Sequence, residues 1–282
     1  MINYLIYRLG QFLVLSLPRT LSYRLAIFLS DLHYLFYPRD RQAVRNNLQQ
    51  VLGEYADIEG LVRQVFRNFG MYLVDFFRMA KMGKANFRDS VTLENIEYVE
   101  NELKKGKGVI CVTAHLGNWE LGGVAMALAG YPVLAVALEH KSALVNNFFN
   151  AQRIQQGVAV ATLKSAGRKC LEALKQNHFV ALVVDRDFSR NGILVELFGK
   201  KTLIPKGPAI FARRTGAAII PGFVVRQDDH RFKVIFEKPL AARITDKEEE
   251  DILLITQDYM RVVEDYVRRY PSQWLIFREF WQ

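Results

Sequence analysis

His115 and Glu120 are the residues of this chain best suited to chemistry. They lie in VICVTAHLGNWELGG, residues 109 to 123. A buried-strand pattern, Val109, Ile110 and Val112, runs directly into His115, and Glu120 opens an apolar, small-residue segment that reads as a helix. A strand end followed by a helix start is where α/β proteins place reacting groups. Histidine is the side chain that moves protons near neutral pH. On a continuous helix five residues turn through about 500°, so the two side chains would not share a face. They can meet only if His115 lies in the turn and Glu120 in the first helical turn, which the turn and cap residues Gly117 and Asn118 allow. The helix dipole also favours a carboxylate there. Glu120 is therefore expected to hold the imidazole in one tautomer, as the acid does in a Ser-His-Asp triad. No protein nucleophile accompanies the pair, which implies that the substrate brings its own hydroxyl. The backbone N–H groups of Gly117 and Asn118, and the Arg153 guanidinium, are candidate partners for an oxyanion.

A second candidate cluster follows the strand-like run FVALVVD. Asp185 and Asp187 could bind a metal or act as acid and base. Arg186 and Arg190 flank them, so an ion-pair network holding a loop is the simpler reading, and no metal is expected. From 186 to 214 the chain carries seven basic residues (Arg186, Arg190, Lys200, Lys201, Lys206, Arg213 and Arg214) against Asp187 and Glu196. Apolar residues interleave them, which suits lipid phosphates or an acidic carrier protein. The remaining histidines have no zinc spacing. HExxH, GxSxG, Walker A and GxGxxG patterns are all missing, which sets aside the common metalloprotease, serine hydrolase, nucleotidase and dinucleotide readings.

Positioning these groups requires a layered scaffold. Strands are expected at 108–114, 132–138, 158–162, 179–184, 219–225 and 232–236, and helices at 59–80, 94–106, 117–129, 142–155, 166–176, 206–215 and 247–269. Strands alternating with helices imply an α/β domain with a mixed, largely parallel sheet flanked by helices. The 282 residues are half hydrophobic and 12% aromatic, with a net charge of +9. That exceeds the needs of a modest core and suits an anionic membrane surface or another anionic partner. Nucleic acid is disfavoured because no recognisable binding module is present. Cys111 and Cys170 sit in apolar contexts and read as reduced, which points to the cytoplasmic side.

Residues 1–18 and 23–38 are apolar but broken by charges, among them Arg8, Arg24 and Asp31. Neither is a clean span of about 20 residues. Two helices lying in the membrane interface are expected, with arginines facing lipid phosphates. The chain is accordingly divided into an apolar, membrane-associating segment at 1–40 and a catalytic domain at 41–282.

Several segments, in order, resemble the lysophospholipid acyltransferase superfamily, with wording nearest the bacterial lipid A late acyltransferases. HLGNWELGG carries His-x4-Glu; RNNLQQVLG (45–53) resembles the Arg-x-Asn-Leu element, and FRNFGMYLVDFFRM (66–79) the segment that follows it. Arg153 and Gly157 match an Arg-x3-Gly step, residues 183–221 the Asp-x-Asp, Phe-x-Gly and Thr-Gly-Ala block, and YPSQWLIFREFW (270–281) the closing segment. One departure is Arg186, where relatives often carry Gln. The resemblance implies an inner-membrane O-acyltransferase working on the cytoplasmic face. His115 would take the proton of a lipid hydroxyl, the oxygen would attack an acyl thioester, and His115 would return the proton to the thiolate, with Glu120 orienting it throughout. The implied donor is acyl-acyl carrier protein and the implied acceptor a lipid A precursor, with no further cofactor. The alternative is an acyl-coenzyme A-dependent phosphatidylinositol mannoside or lysoglycerophospholipid acyltransferase. Asn118, Arg153, Asp185, Arg186, Asp187 and Lys206 are the expected substrate-binding residues.

Overall fold

The structure is a computed structural model and describes residues 1–53, 57–188, 191–241 and 243–281. Four helices come first: α1 (Ile2–Ser16), α2 (Arg19–Phe36), α3 (Pro38–Leu52) and α4 (Ile58–Arg78). Strands and helices then alternate through β1 (Val91–Glu94), α5 (Ile96–Leu103), β2 (Val109–Thr113), α6 (Trp119–Leu128), β3 (Val133–Ala137), α7 (Ala143–Gln155), β4 (Val158–Thr162), α8 (Leu163–Lys175) and β5 (Phe179–Val183). A hairpin of β6 (Ile193–Leu197) and β7 (Lys200–Ile204) precedes α9 (Gly207–Thr215), β8 (Ala218–Arg226), β9 (Phe232–Phe236) and α10 (Glu248–Arg269).

Seven strands form one sheet in the order β1-β9-β8-β2-β5-β3-β4. Every pairing is parallel except β8 with β9, so the sheet is mixed and largely parallel. The alternation of side chains across each strand sorts the core into two layers. Val109, Cys111, Val133 and Phe179 join one cluster with α6 and α7 residues such as Leu121 and Phe149. Ile110, Val112, Leu134 and Val180 join the other with α8, α9 and α10 residues such as Leu174, Ala212 and Val263. All five residues of β2 are buried, as expected for a central parallel strand. The short β1 and the hairpin β6–β7 are absent from the sequence expectation. β1 has only four residues, and both hairpin strands mix charge with apolar residues. Residues 39–47, which span the division drawn near residue 40, are part of α3, with Pro38 in its first turn.

The first two helices are apolar on the outside. On α1, Leu5, Leu9 and Phe12 are exposed at helical spacing, while Gln11 and Val14 face inward. On α2 the pattern is inverted: Leu21, Leu25, Phe28 and Leu29 are exposed, and Ser22, Tyr23 and Ser30 are buried. Among the described residues, no helix is long and apolar enough to cross a membrane. The hairpin is fastened to the rest of the chain by polar contacts. Arg78 donates to the Val14 and Leu17 carbonyls at the end of α1 at 2.8 and 3.1 Å. Tyr23 and Arg226 both hydrogen-bond to the buried Asp75 carboxylate, joining α2, α4 and β8 across the boundary drawn near residue 40.

Candidate active site

His115 directly follows the C-terminal end of β2, and Asp185 follows that of β5, its parallel neighbour. Adjacent parallel strands deliver both residues to the same edge of the sheet, where open α/β sheets bind ligands. The Asp185 Oδ1 atom lies 2.6 Å from His115 Nδ1. Its other oxygen accepts the His115 backbone N–H at 2.8 Å and the Trp274 indole N–H at 3.1 Å. Burial alone would raise the Asp185 carboxyl, but the His115 charge and these three donors outweigh it and hold the group below the usual carboxylate range. A carboxylate at Oδ1 fixes the Nδ1–H tautomer, which leaves Nε2 as the basic nitrogen. The ring packs edge-on to Trp119 at 4.8 Å, and Trp119 stacks on Tyr72 at 4.6 Å.

The loop after His115 is clamped by the C-terminal segment. Gly117 N–H donates to the Gln273 carbonyl, Asn118 N–H to the Val224 carbonyl, and Leu275 N–H to the His115 carbonyl. Gly117 has φ of +61°, and a Cβ there would sit 1.7 Å from the Val224 oxygen, so only glycine fits. Asn118 is fully buried and caps α6 through Oδ1 on the Leu121 N–H.

Glu120 does not orient His115, and this corrects the sequence expectation. Its carboxylate is gripped by Arg153 of α7, whose Nε and Nη2 reach the two oxygens at 2.8 and 2.5 Å. The remaining Arg153 nitrogen, Nη1, donates to Asn150 at 2.8 Å. Burial would lower the Arg153 guanidinium, but Glu120 beside it raises it above its ordinary value. The carboxylate that the spacing assigned to the histidine is thus spent joining α6 to α7. The physical reason is reach: Asp185, seventy residues further on, already fills the Nδ1 position. The reading of Asp185 as part of a loop-holding ion pair is overturned by the same contact. Neither the Gly117 nor the Asn118 N–H remains available to an oxyanion, because both donate to backbone carbonyls.

His115, Glu120, Arg153, Arg186, Asp187 and Lys206 all line one cavity of about 870 Å³. Asp185 sits behind His115 in its wall, and Asn118 is packed beneath and does not reach it. Apolar side chains from both faces of the sheet, including Ala135, Ala137, Leu171, Leu182 and Ile210, make up most of the rest. Arg186 lies over the Phe188 ring at 4.7 Å and is lowered by burial and then by Arg278. Asp187 accepts the Gly192 N–H at 3.1 Å. Arg190 lies outside the described residues. Within the basic run, Arg213 is committed to Asp251 and to the carbonyls of Arg243 and Thr245, which removes it from the expected binding face. Trp274 was not anticipated as a site residue. Its segment is recognisable in the sequence, but its grip on Asp185 is a contact across 89 positions that no spacing rule encodes.

The sequence profile of the bacterial lipid A biosynthesis acyltransferase family matches residues 1–282. The chain belongs to that family. It is 26% identical over 281 residues to the phosphatidylinositol mannoside acyltransferase of Mycolicibacterium smegmatis, covering 98% of this chain and 90% of that protein. It is also 25% identical over 252 residues to the lipid A biosynthesis palmitoleoyltransferase of Escherichia coli, covering 87% of this chain and 80% of the relative. The chain is therefore an acyltransferase, with lipid-substrate acyltransferases as its relatives. For such an enzyme the cavity chemistry is informative. Among its described lining residues there is no serine or cysteine. Cys111 and Cys170 are buried, and burial pushes both thiols up to about 12, so neither is a thiolate nucleophile.

Proposed function

We propose that this acyltransferase moves a fatty acyl chain from a thioester donor to a hydroxyl of a glycolipid at a membrane surface. The observation that carries this reading is the His115–Asp185 pair, with imidazole Nε2 as the base, on an apolar cavity whose described lining residues include no serine or cysteine. Direct attack by the acceptor oxygen needs only a base that later acts as an acid. Nε2 takes the hydroxyl proton as the oxygen bonds to the thioester carbon. The intermediate collapses with loss of thiolate, which receives the proton from the imidazolium. Asp185 stabilises that cation and keeps the ring in place. Arg186 and Lys206 at the cavity wall suit phosphate groups of donor or acceptor.

The leading pair of substrates is acyl-acyl carrier protein and a lipid A precursor, on the cytoplasmic face of the inner membrane, with no further cofactor. A second pair, acyl-coenzyme A and a phosphatidylinositol mannoside, is favoured by one finding: the mannoside-acylating relative aligns over nearly the whole chain. Both donors should be offered to detergent-purified protein with each acceptor, beside His115→Ala. The expected result is acylated lipid from one pairing, with the variant reduced about 10²-fold or more. A fully active His115→Ala would overturn the mechanism, and transfer to neither acceptor would overturn the glycolipid reading.

Membrane association rests on the outward leucines and phenylalanines of α1 and α2. Wild-type protein is expected to co-sediment with vesicles containing anionic lipid. Leu9→Glu with Phe12→Glu should release it, because interfacial binding scales with buried apolar area. Undiminished co-sedimentation of that variant would place the contact elsewhere.

A further inference from the structure

Gly167 lies within α8 in ordinary helical backbone, where glycine is destabilising relative to alanine. Leu163 and Leu171, one turn before it and one turn after, share its face of the helix. All three line the cavity. A Cβ added at Gly167 would meet nothing within 4 Å. Gly123 and Gly207, the other glycines among the described lining residues, are packed differently. A Cβ there would touch Val158 at 3.9 Å or Phe211 at 3.6 Å. Neither backbone conformation nor crowding therefore calls for glycine at 167. Its effect is to leave a notch in a leucine stripe, open to the cavity.

The surroundings of the notch are apolar. Val136 of β3, Leu182 of β5 and Ile210 of α9 line the cavity on the same side of the sheet as Leu171 and share one apolar cluster with it. Arg214 is the charged residue that α9 adds to the lining. α8 begins directly after β4, at the sheet edge that carries His115. The strand order β2-β5-β3-β4 puts three strand spacings, about 14 Å, between the His115 strand and the one that leads into α8. A ligand that meets His115 at one end and fills the notch at the other must be long, thin and apolar. A sugar or phosphate there would lose water without gaining hydrogen-bond partners.

We propose that the Gly167 notch receives the far end of a hydrocarbon chain of a lipid substrate, and that the missing side chain sets how long a chain fits. This role rests on the acyl-transfer reading above. Both the thioester donor and the lipid acceptor carry such chains, and the test separates them.

Wild type, Gly167→Ala and Gly167→Leu are compared with a homologous series of saturated donors, decanoyl to stearoyl, as acyl-acyl carrier protein and as acyl-coenzyme A, and with both glycolipid acceptors. Gly167→Leu is expected to move the preference towards shorter chains, with kcat/KM falling about fourfold for each methylene excluded. Gly167→Ala should move it less. Both variants should melt at or above the wild-type Tm, because each replaces a helical glycine where space is open. A shift that instead follows the acceptor's chains, varied with one donor fixed, places the acceptor's chain in the notch. A glycine kept for packing would give the opposite pattern, with Tm falling and every donor losing activity by the same factor. That result, or unchanged selectivity in both series, overturns the assignment and leaves the acyl-transfer reading standing. A wild type inactive with every pairing overturns the reading itself, and the role of Gly167 falls with it.

Discussion

Asp185→Asn is expected to fold normally and to lose roughly 10³- to 10⁴-fold in kcat, with KM little changed. The geometry predicts why an isosteric change is so costly. Asp185 Oδ2 accepts two N–H donors, from the His115 backbone and the Trp274 indole, so an asparagine would place its carbonyl oxygen there. Its NH2 group would then occupy the Oδ1 position and face His115 Nδ1. Nδ1 would have to accept, the proton would move to Nε2, and the base would be lost to the wrong tautomer. All hydrogen bonds would remain, so the fold survives and the loss of kcat should far exceed the loss of stability at neutral pH. Steady-state kinetics beside a thermal melt checks this. An Asp185→Asn variant within tenfold of wild type would mean that His115 is oriented by another group.

The same residue makes a pH prediction. The folded carboxyl is held below its ordinary range, so its contribution to stability is fully present above that range. It is lost as the pH falls through the depressed folded value. Asparagine does not titrate there. The stability gap between wild type and Asp185→Asn, measured by urea unfolding, should therefore shrink between about pH 7 and about pH 3.

Glu120→Ala is expected to damage the scaffold more than the chemistry. It leaves the Arg153 guanidinium unpaired in a wall where its side chain is 11% exposed. Breaking such a pair from one side costs about 3–5 kcal/mol, or a Tm lower by roughly 5–10 °C. Replacing both partners by apolar groups, Glu120→Leu with Arg153→Met, should recover much of that loss, because the double change leaves no buried charge. If Glu120 instead oriented His115, the double variant would remain as inactive as Asp185→Asn even after its stability returned. Melting temperatures and kcat of the single and double variants distinguish the two roles.

Much of this protein is legible in local sequence. The periodicities place the six longer sheet strands and the helices around them, because a buried parallel strand and an amphipathic helix each impose a pattern within a few residues. The His-x4-Glu wording and the order of the surrounding segments point to the family, and they single out the histidine proposed here as the base. The turn chemistry at Gly117 and the cap at Asn118 were also visible, since both act over three or four residues. What sequence spacing could not decide is which carboxylate meets which cation. Glu120 is five residues from His115, and Asp185 is seventy. Register between β2 and β5 nevertheless brings Asp185 to the imidazole, while α7 brings Arg153 to Glu120. Pairings of this kind depend on strand order and helix packing, which are long-range properties of the assembled sheet. The same holds for Trp274, whose place behind Asp185 only the tertiary structure decides.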